Sequence, residues 1–527
     1  MLKNQPRLLA VLSALMVTAV APGSVKVSPL FGNHMVLQRD MQDPIWGAAD
    51  PGETITVRFA GQRVTAVADS RGRWMARLSP LHADAKPRTL VVTGKKARIR
   101  LTDVLVGDVW LCSGQSNMEY PLHGWFRGGN ARHAVAHANY PLIRMINLPS
   151  VDHDFPHHNF PILNRIIGRW NVCTPATAAS FSAVGYFFGR DLQKHIHVPI
   201  GLIQSAWGGT RIQPWLPAAA YRHTPSLRAD WLWLKKARAA YPRYQQELAA
   251  WARRLPQWLA TVRAATAEHR PIPRPPSPPK DPISFSKQNP TVIFNGRIAP
   301  LIPLALRGIL WYQGENNVGN SSTFYYDHLA AMIQWWRTQW HRPHLPFLLV
   351  QIAPFDYAQY SGHHRLEPEI WQAQEWAAER IPDCGIVSTQ DADSPDQGHP
   401  VNKRPEGYRL SELALEMVYH VKGIHARSPM FKSMTVRGST VIIRFSHTDG
   451  GLVSRNGKPL NWFEIADRHG KFVPAEAVIR GNRVLVHANG ITRPTRVRFG
   501  WYDTAMPNLM SKDGLPVMSF EESVIGH

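Results

Sequence analysis

Residues 101–117 read LTDVLVGDVWLCSGQSN, an apolar run from Val104 to Cys112 that breaks abruptly into Ser113-Gly114-Gln115-Ser116-Asn117. A run apolar at nearly every position is a strand buried on both faces. A small, Gly-containing turn after it presents a hydroxyl above the carboxyl edge of a sheet, where open α/β sheets bind their ligands. The stretch predicts an α/β protein with a parallel sheet, with Ser116 as the candidate nucleophile and the central chain arranged to bring partners to it.

C-terminal to this stretch the chain keeps a strand–loop–helix rhythm. Four further apolar runs end in polar or Gly-rich loops. Residues 199–206 lead into Trp207-Gly208-Gly209-Thr210-Arg211, and 304–311 into Tyr312-Gln313-Gly314-Glu315-Asn316-Asn317. Residues 347–352 lead into Ala353-Pro354-Phe355-Asp356, and 385–388 into Thr389-Gln390-Asp391-Ala392-Asp393. Helical patterns lie at 181–195, 324–340, 367–380 and 406–421. Such alternation predicts a core over 102–216 and 290–427: a parallel sheet covered on both faces, its polar loops on one edge.

N-terminal to the stretch, residues 25–101 read as short strands such as ETITVRFAG and RWMARLSPL, separated by turn residues. That spacing predicts a small β-sandwich. The same rhythm returns over 428–527 as a second β-domain. Residues 217–289 interrupt the core with a Trp-, Ala- and Arg-rich helical stretch at 227–270. The run RPIPRPPSPPKDP follows it, extended or disordered. Either this insertion caps one side of the site or it forms a helical pair away from the chemistry.

A chain of 527 residues with 44% hydrophobic and 19% charged residues is globular and multidomain, which excludes a disordered chain. Lys3 and Arg7, an apolar run over 8–20 and Ala19-Val20-Ala21 form a secretory signal over 1–21, so export to the periplasm or beyond is expected. The apolar run is shorter than the roughly 20 residues a membrane span needs. No second stretch is long and apolar enough, so no stable membrane association is expected after cleavage. Three cysteines, an odd number, exclude a disulfide framework. The formal charge of +22, or +20 without Lys3 and Arg7, raises nucleic acid as a partner. The basic residues are scattered, without a basic helix or zinc-finger spacing, so no nucleic acid is expected and the charge suits polyanionic glycans or the surrounding milieu.

Serine hydrolysis needs a nucleophile, an imidazole to take its proton, a group to orient that imidazole and donors for the oxyanion. Ser116 is not in a G-x-S-x-G elbow, because Met118 stands where the second glycine would be. His399, in SPDQGHPVNK between the last strand loop and the last helix pattern, returns to the same edge. Asp396 precedes it by three residues, with Asp391, Asp393 and a backbone carbonyl as competitors for the orienting role. The oxyanion donors are the Ser116 N–H, an N–H of Gly208 or Gly209, and the Gln313 amide. His153, His157, His158, His363 and His364 lack zinc-ligand spacing, and no metal is expected.

The blocks Leu111-Cys112-Ser113-Gly114-Gln115-Ser116-Asn117-Met118, Trp207-Gly208-Gly209-Thr210, Trp311-Tyr312-Gln313-Gly314-Glu315-Asn316 and Gly398-His399-Pro400 with Lys403 closely resemble the sialate O-acetylesterase family of SGNH hydrolases. Leu30-Phe31, His34 to Arg39 and Trp46-Gly47 extend the resemblance to one end of the chain. Phe463-Glu464-Ile465-Ala466 and Gly514-Leu515-Pro516 extend it to the other. The resemblance implies a flavodoxin-like three-layer core between β-sandwich domains, no cofactor, and removal of O-acetyl groups from sugars through an acetyl-serine. It matches Ser116 to the nucleophile, His399 to the histidine, and Gly209 and Gln313 to the oxyanion blocks. Glu315 and Asn316 match a buttressing loop, while Asn117, Gly208, Arg211 and Tyr312 are supporting or substrate-binding candidates. Trp207, Arg211, Trp215 and Tyr312 are candidates to stack on or bond a sugar. The run of three aspartates and the long insertion depart from the family pattern. The acetylated substrate is sialic acid or a plant polysaccharide such as xylan, xyloglucan or pectin. Two other readings are a carbohydrate-binding protein without catalysis and an SGNH esterase acting on acyl lipids.

Overall fold

The computed structural model describes residues 24–125, 131–160, 168–391 and 394–524. The signal expected over 1–21 lies outside them. The apolar run that opened the sequence reading is the end of a 17-residue strand, β1 (Arg98–Gly114). Residues 98–103 alternate between exposed and partly covered, whereas every residue from Val104 to Gly114 is buried. Alternation marks a sheet with one wet face, and continuous burial marks one covered on both. One strand therefore serves two environments. Its start pairs antiparallel with Asp84–Thr93, its middle parallel with Val36–Gln38, and its end enters the central sheet. The boundary expected at residue 101 thus falls inside a strand, and the N-terminal β-module is joined to the core by shared ladder bonds instead of a linker.

The central sheet adds β2 (Tyr140–Asn147), β3 (Trp170–Cys173), β4 (Ile200–Ala206), β5 (Gly308–Tyr312), β6 (Phe347–Val350) and β7 (Cys384–Val387). Its order is β3-β2-β4-β1-β5-β6-β7. Neighbours are parallel except for β3, which pairs antiparallel with β2. Strand β2 is not apparent from the sequence pattern because Arg144 interrupts its apolar run. That guanidinium is 4% exposed and lies 2.5 Å from the Asp103 carboxylate, so the charge is neutralised where it is buried. The chain leaves β1 for one side of the sheet and returns on the other at β5. The carboxyl end of β1 is therefore the point where the strand order reverses.

The helices include α1 (Ser116–Glu119), α2 (Ala183–Ile196), α3 (Arg228–Ala267), α4 (Ser322–Gln339), α5 (Glu367–Arg380) and α6 (Arg404–Met417). Helix α2 packs on α6 and α4 on α5. Serine caps start two of them, with Ser182 Oγ accepting from the Gly185 N–H and Ser321 Oγ from the Phe324 N–H. In the insertion, α3 runs for 40 residues, and the Pro-rich run turns back along it. The indole N–H groups of Trp251 and Trp258 donate to the carbonyls of Pro276 and Pro273 at 2.8 and 3.1 Å. The run is thus extended and packed. Strands between Met430 and Ser523 form two four-stranded sheets and a two-stranded pair around a separate core that includes Ile443, Phe463, Val484 and Phe520. Among the described residues Cys112, Cys173 and Cys384 are buried free thiols, and no helix is long and apolar enough to cross a membrane.

Candidate active site

Strand β1 ends at Gly114, whose φ is +135°. A methyl group there would collide with the Tyr312 carbonyl of β5, so the close approach of the two strand ends requires glycine. The Gln115 N–H then donates to that same carbonyl at 2.9 Å, and Ser116 opens the single turn α1. Ser116 is 9% exposed, whereas Asn117 and Met118 are sealed, so the serine sits at the rim of a buried turn. The Gln115 Nε2 lies 3.4 Å from the Ser116 Oγ.

The loop after β4 faces this turn. A methyl group on Gly208 would stand 3.2 Å from the Ser116 Cβ, which makes Gly208 a van der Waals neighbour of the serine. The Gly208 N–H donates to Glu119 Oε2 at 2.6 Å and is therefore taken. Two residues from the end of the insertion hold the carbonyls of the loop. Lys287 Nζ donates to the Gly208 carbonyl and Gln288 Nε2 to the Gly209 carbonyl, each at 2.5 Å. The insertion accordingly touches the site. Among the described residues the N–H groups of Ser116 and Gly209 donate to no partner.

The loop after β5 departs from the sequence expectation. Gln313 is fully buried. Its Nε2 lies 3.0, 3.1 and 3.0 Å from Gln115 Oε1, the Thr210 carbonyl and Asn317 Oδ1, and its Oε1 accepts from the Tyr325 hydroxyl at 2.8 Å. This amide staples three loops together and has no N–H left for an oxyanion. Asn316 is the loop's outward amide: its N–H donates to Gln115 Oε1 at 3.2 Å and its Nδ2 lies 3.4 Å from the Gly209 carbonyl. Tyr312 and Trp215 are fully buried core residues and do not reach a sugar, while Trp207 and Arg211 retain exposure.

Asn117 joins Ser116 to His399. Its Nδ2 donates to the Gly398 carbonyl at 3.1 Å and to Glu315 Oε1 at 2.5 Å, and its Oδ1 accepts from Lys403 Nζ at 2.6 Å. The turn that begins with Ser116 and the loop that carries His399 thus meet at one edge, although the hydroxyl and the imidazole are not themselves hydrogen-bonded. Catalytic contacts are often longer without substrate. Burial and the nearby Lys403 charge hold the His399 pKa below its ordinary value, which favours the neutral ring, the form able to accept a proton. Burial also raises the Glu315 carboxyl, against the Asn117 hydrogen bond that favours its charged form. The Lys403 ammonium lies 5.4 Å from both the Tyr120 and the Tyr312 ring centroids.

Two of the three candidate aspartates stand apart from the imidazole. Asp396 is exposed, and no ion pair joins it to His399 within 4.0 Å among the described residues. Asp391 is consumed by Arg409 in a two-bond pair at 2.7 and 2.6 Å. Asp393 lies outside the described residues. His399 instead meets the edge of Trp125, with ring centroids 5.4 Å apart. Among the described residues there is no cluster of three or more His, Cys, Asp or Glu side chains fit to hold a metal.

A family model described as a carbohydrate esterase, sialic acid-specific acetylesterase, matches residues 296–406. Rat sialate O-acetylesterase is 27% identical over 518 residues, spanning 91% of this chain and 90% of the relative. The human sialate O-acetylesterase is 27% identical over 479 residues, spanning 84% and 80%. The crystal structure of a carbohydrate acetylesterase from Xanthomonas citri superposes with a TM-score of 0.78 and 31% identity, over 95% of this chain and all of the other. The fold and these likenesses define a carbohydrate O-acetylesterase. The chain belongs to the sialate O-acetylesterase family.

Proposed function

We propose that this esterase removes O-acetyl groups from carbohydrate by acyl transfer through Ser116, on an SGNH-type three-layer core flanked by β-sandwich domains, after export from the cytoplasm. The observation that carries the reading is the Asn117 bridge, which holds the Ser116 turn against the His399 loop beside two N–H groups that have no partner among the described residues.

His399 takes the proton of the Ser116 hydroxyl as Oγ attacks the acetyl carbonyl carbon. Negative charge gathers on the carbonyl oxygen, which the Ser116 and Gly209 N–H groups receive, with Asn316 Nδ2 as the third donor in place of Gln313. The imidazolium returns the proton to the sugar oxygen as the ester C–O bond breaks. Water, giving a proton to the same imidazole, then attacks the acetyl carbonyl; the Ser116 Oγ–acyl bond breaks, Oγ takes that proton back from the imidazolium, and acetic acid leaves and ionises to acetate. Ser116 and His399 act as a pair, and Asp396 is assigned no part in orienting the ring. The substrate class is an O-acetylated sugar, either sialic acid or a unit of a plant polysaccharide.

The test is Ser116→Ala on 4-nitrophenyl acetate. Loss of at least about a thousandfold in kcat, with an unchanged melting temperature, is the expected result. Turnover equal to that of the unaltered enzyme would dismiss Ser116 as nucleophile.

A further inference from the structure

Aromatic side chains gather beside His399 and, along the segment 355–364, against the C-terminal β-module, and the hydrolytic chemistry uses none of them. On one side of the imidazole stands Trp125, 44% exposed. The Phe355 ring lies 3.5 Å from where a Gly398 Cβ would be, so it packs beside the backbone that leads into His399. Tyr360, 77% exposed, stacks on Phe355 with centroids 6.2 Å apart and planes 29° from parallel. The same loop then delivers His364, stacked on Tyr502 at 5.1 Å and 11°, and Trp462 follows at 5.8 Å from Tyr502. Backbone bonds fix the two halves to each other, because the Phe355 N–H donates to the Asp503 carbonyl and the Asp503 N–H to the His364 carbonyl.

Two features separate this ledge from core packing. Tyr360 at 77% and Trp462 at 37% exposed keep large ring faces in water, open to a ligand. Trp462 also holds a φ of +63°, a conformation costly for a bulky side chain, and is pinned there by the Gly500 N–H donating to its carbonyl. The matching ligand presents C–H faces to the rings and hydroxyls to water and to the polar groups between them, which is the chemistry of a pyranose chain.

We infer that this ledge binds a polysaccharide chain that runs from the C-terminal β-module to His399, so that the acetylated substrate is a polymer. This inference rests on the acetylesterase reading of Ser116 and His399, and names the substrate class of that site. It also gives the C-terminal module a task in catalysis: holding the chain beyond the unit being deacetylated.

The experiment compares Tyr360→Ala, Trp462→Ala and the double variant with the unaltered enzyme on three probes: 4-nitrophenyl acetate, 9-O-acetylated sialic acid and O-acetylated xylan. Affinity electrophoresis through gels containing the xylan is run in parallel. The expected result is that the double variant lowers the ratio of kcat/KM on xylan to kcat/KM on 4-nitrophenyl acetate by tenfold or more, through KM, and migrates through the gel unretarded. An unchanged ratio would overturn the inference. So would a wild-type enzyme that deacetylates the monosaccharide but not the polymer, or one unretarded by xylan that self-associates through the ledge in sedimentation. If wild-type enzyme hydrolyses no ester, the Ser116 reading fails. The gel then decides the ledge separately: retardation lost in the double variant supports it, and no retardation of the wild type rejects it.

Discussion

At the scale of single residues, the proposed chemistry depends on the charge state of His399. Burial first, and the Lys403 ammonium second, hold its pKa below the ordinary histidine value. A base works only while deprotonated, so kcat/KM should be lost as pH falls through that lowered value and stay level above it. A profile on 4-nitrophenyl acetate between pH 4 and 9 is expected to show its acid limb below about 6.5, the unperturbed imidazole value. A limb centred at or above 7 would assign the titration to another group. Ser116 and His399 are legible as candidates because one follows an unbroken apolar run and the other follows the last strand in chain order. Gln313 was misread for a physical reason. An amide in a Gly-rich loop looks the same in sequence whether it points out or in, and here the Tyr325 hydroxyl on α4 holds it inward.

At the scale of elements, the insertion reaches the chemistry through its last few residues. Lys287 donates to the Gly208 carbonyl, and that carbonyl belongs to the same peptide group as the Gly209 N–H. A cation on the oxygen polarises the amide and strengthens its N–H as a donor. Lys287→Met should therefore lower kcat about tenfold, equivalent to ~1.4 kcal/mol of transition-state stabilisation, with KM little changed. Lys287→Arg should recover part of the loss, since a cation returns to the same carbonyl. Steady-state kinetics of both variants check this, and full activity in Lys287→Met would confine the insertion to a structural role. The helical and Pro-rich halves of the insertion were readable from composition. Their folding back together was not, because it depends on Trp251 and Trp258 meeting carbonyls 25 and 15 residues away.

At the scale of the molecule, one buried carboxylate ties the modules. Asp108, within β1, accepts from Arg39 of the N-terminal module, from Arg307 before β5 and from the Tyr419 hydroxyl beyond α6. Burial alone would raise its pKa, but the hydrogen bond and charge of Arg39, with the charge of Arg307, bring it below the usual carboxylate range. A depressed folded pKa adds stability that is complete above the unfolded value of about 3.9 and fades as pH drops through the folded one. Asp108→Ala leaves two partly buried guanidinium groups facing each other without their anion. It should destabilise the fold by ~3–5 kcal/mol at pH 7, with the deficit shrinking at acid pH. Thermal denaturation of both forms at pH 7 and pH 3 measures this, and equal melting temperatures at pH 7 would show that the modules do not depend on the carboxylate.

Local pattern was enough to establish five of the strands, the helices beside them, the serine turn and the histidine loop. Each of these follows from the period and interruption of apolar residues within a dozen positions. Tertiary structure alone decided that the Ser116 and Gly209 N–H groups have no partner among the described residues, that Asp396 is exposed, that one strand is shared between two modules, and that aromatic rings gather along the segment 355–364. Those outcomes rest on contacts such as Asn117 to Gly398, 281 residues apart, whose formation depends on how finished elements pack and not on the residues beside either partner.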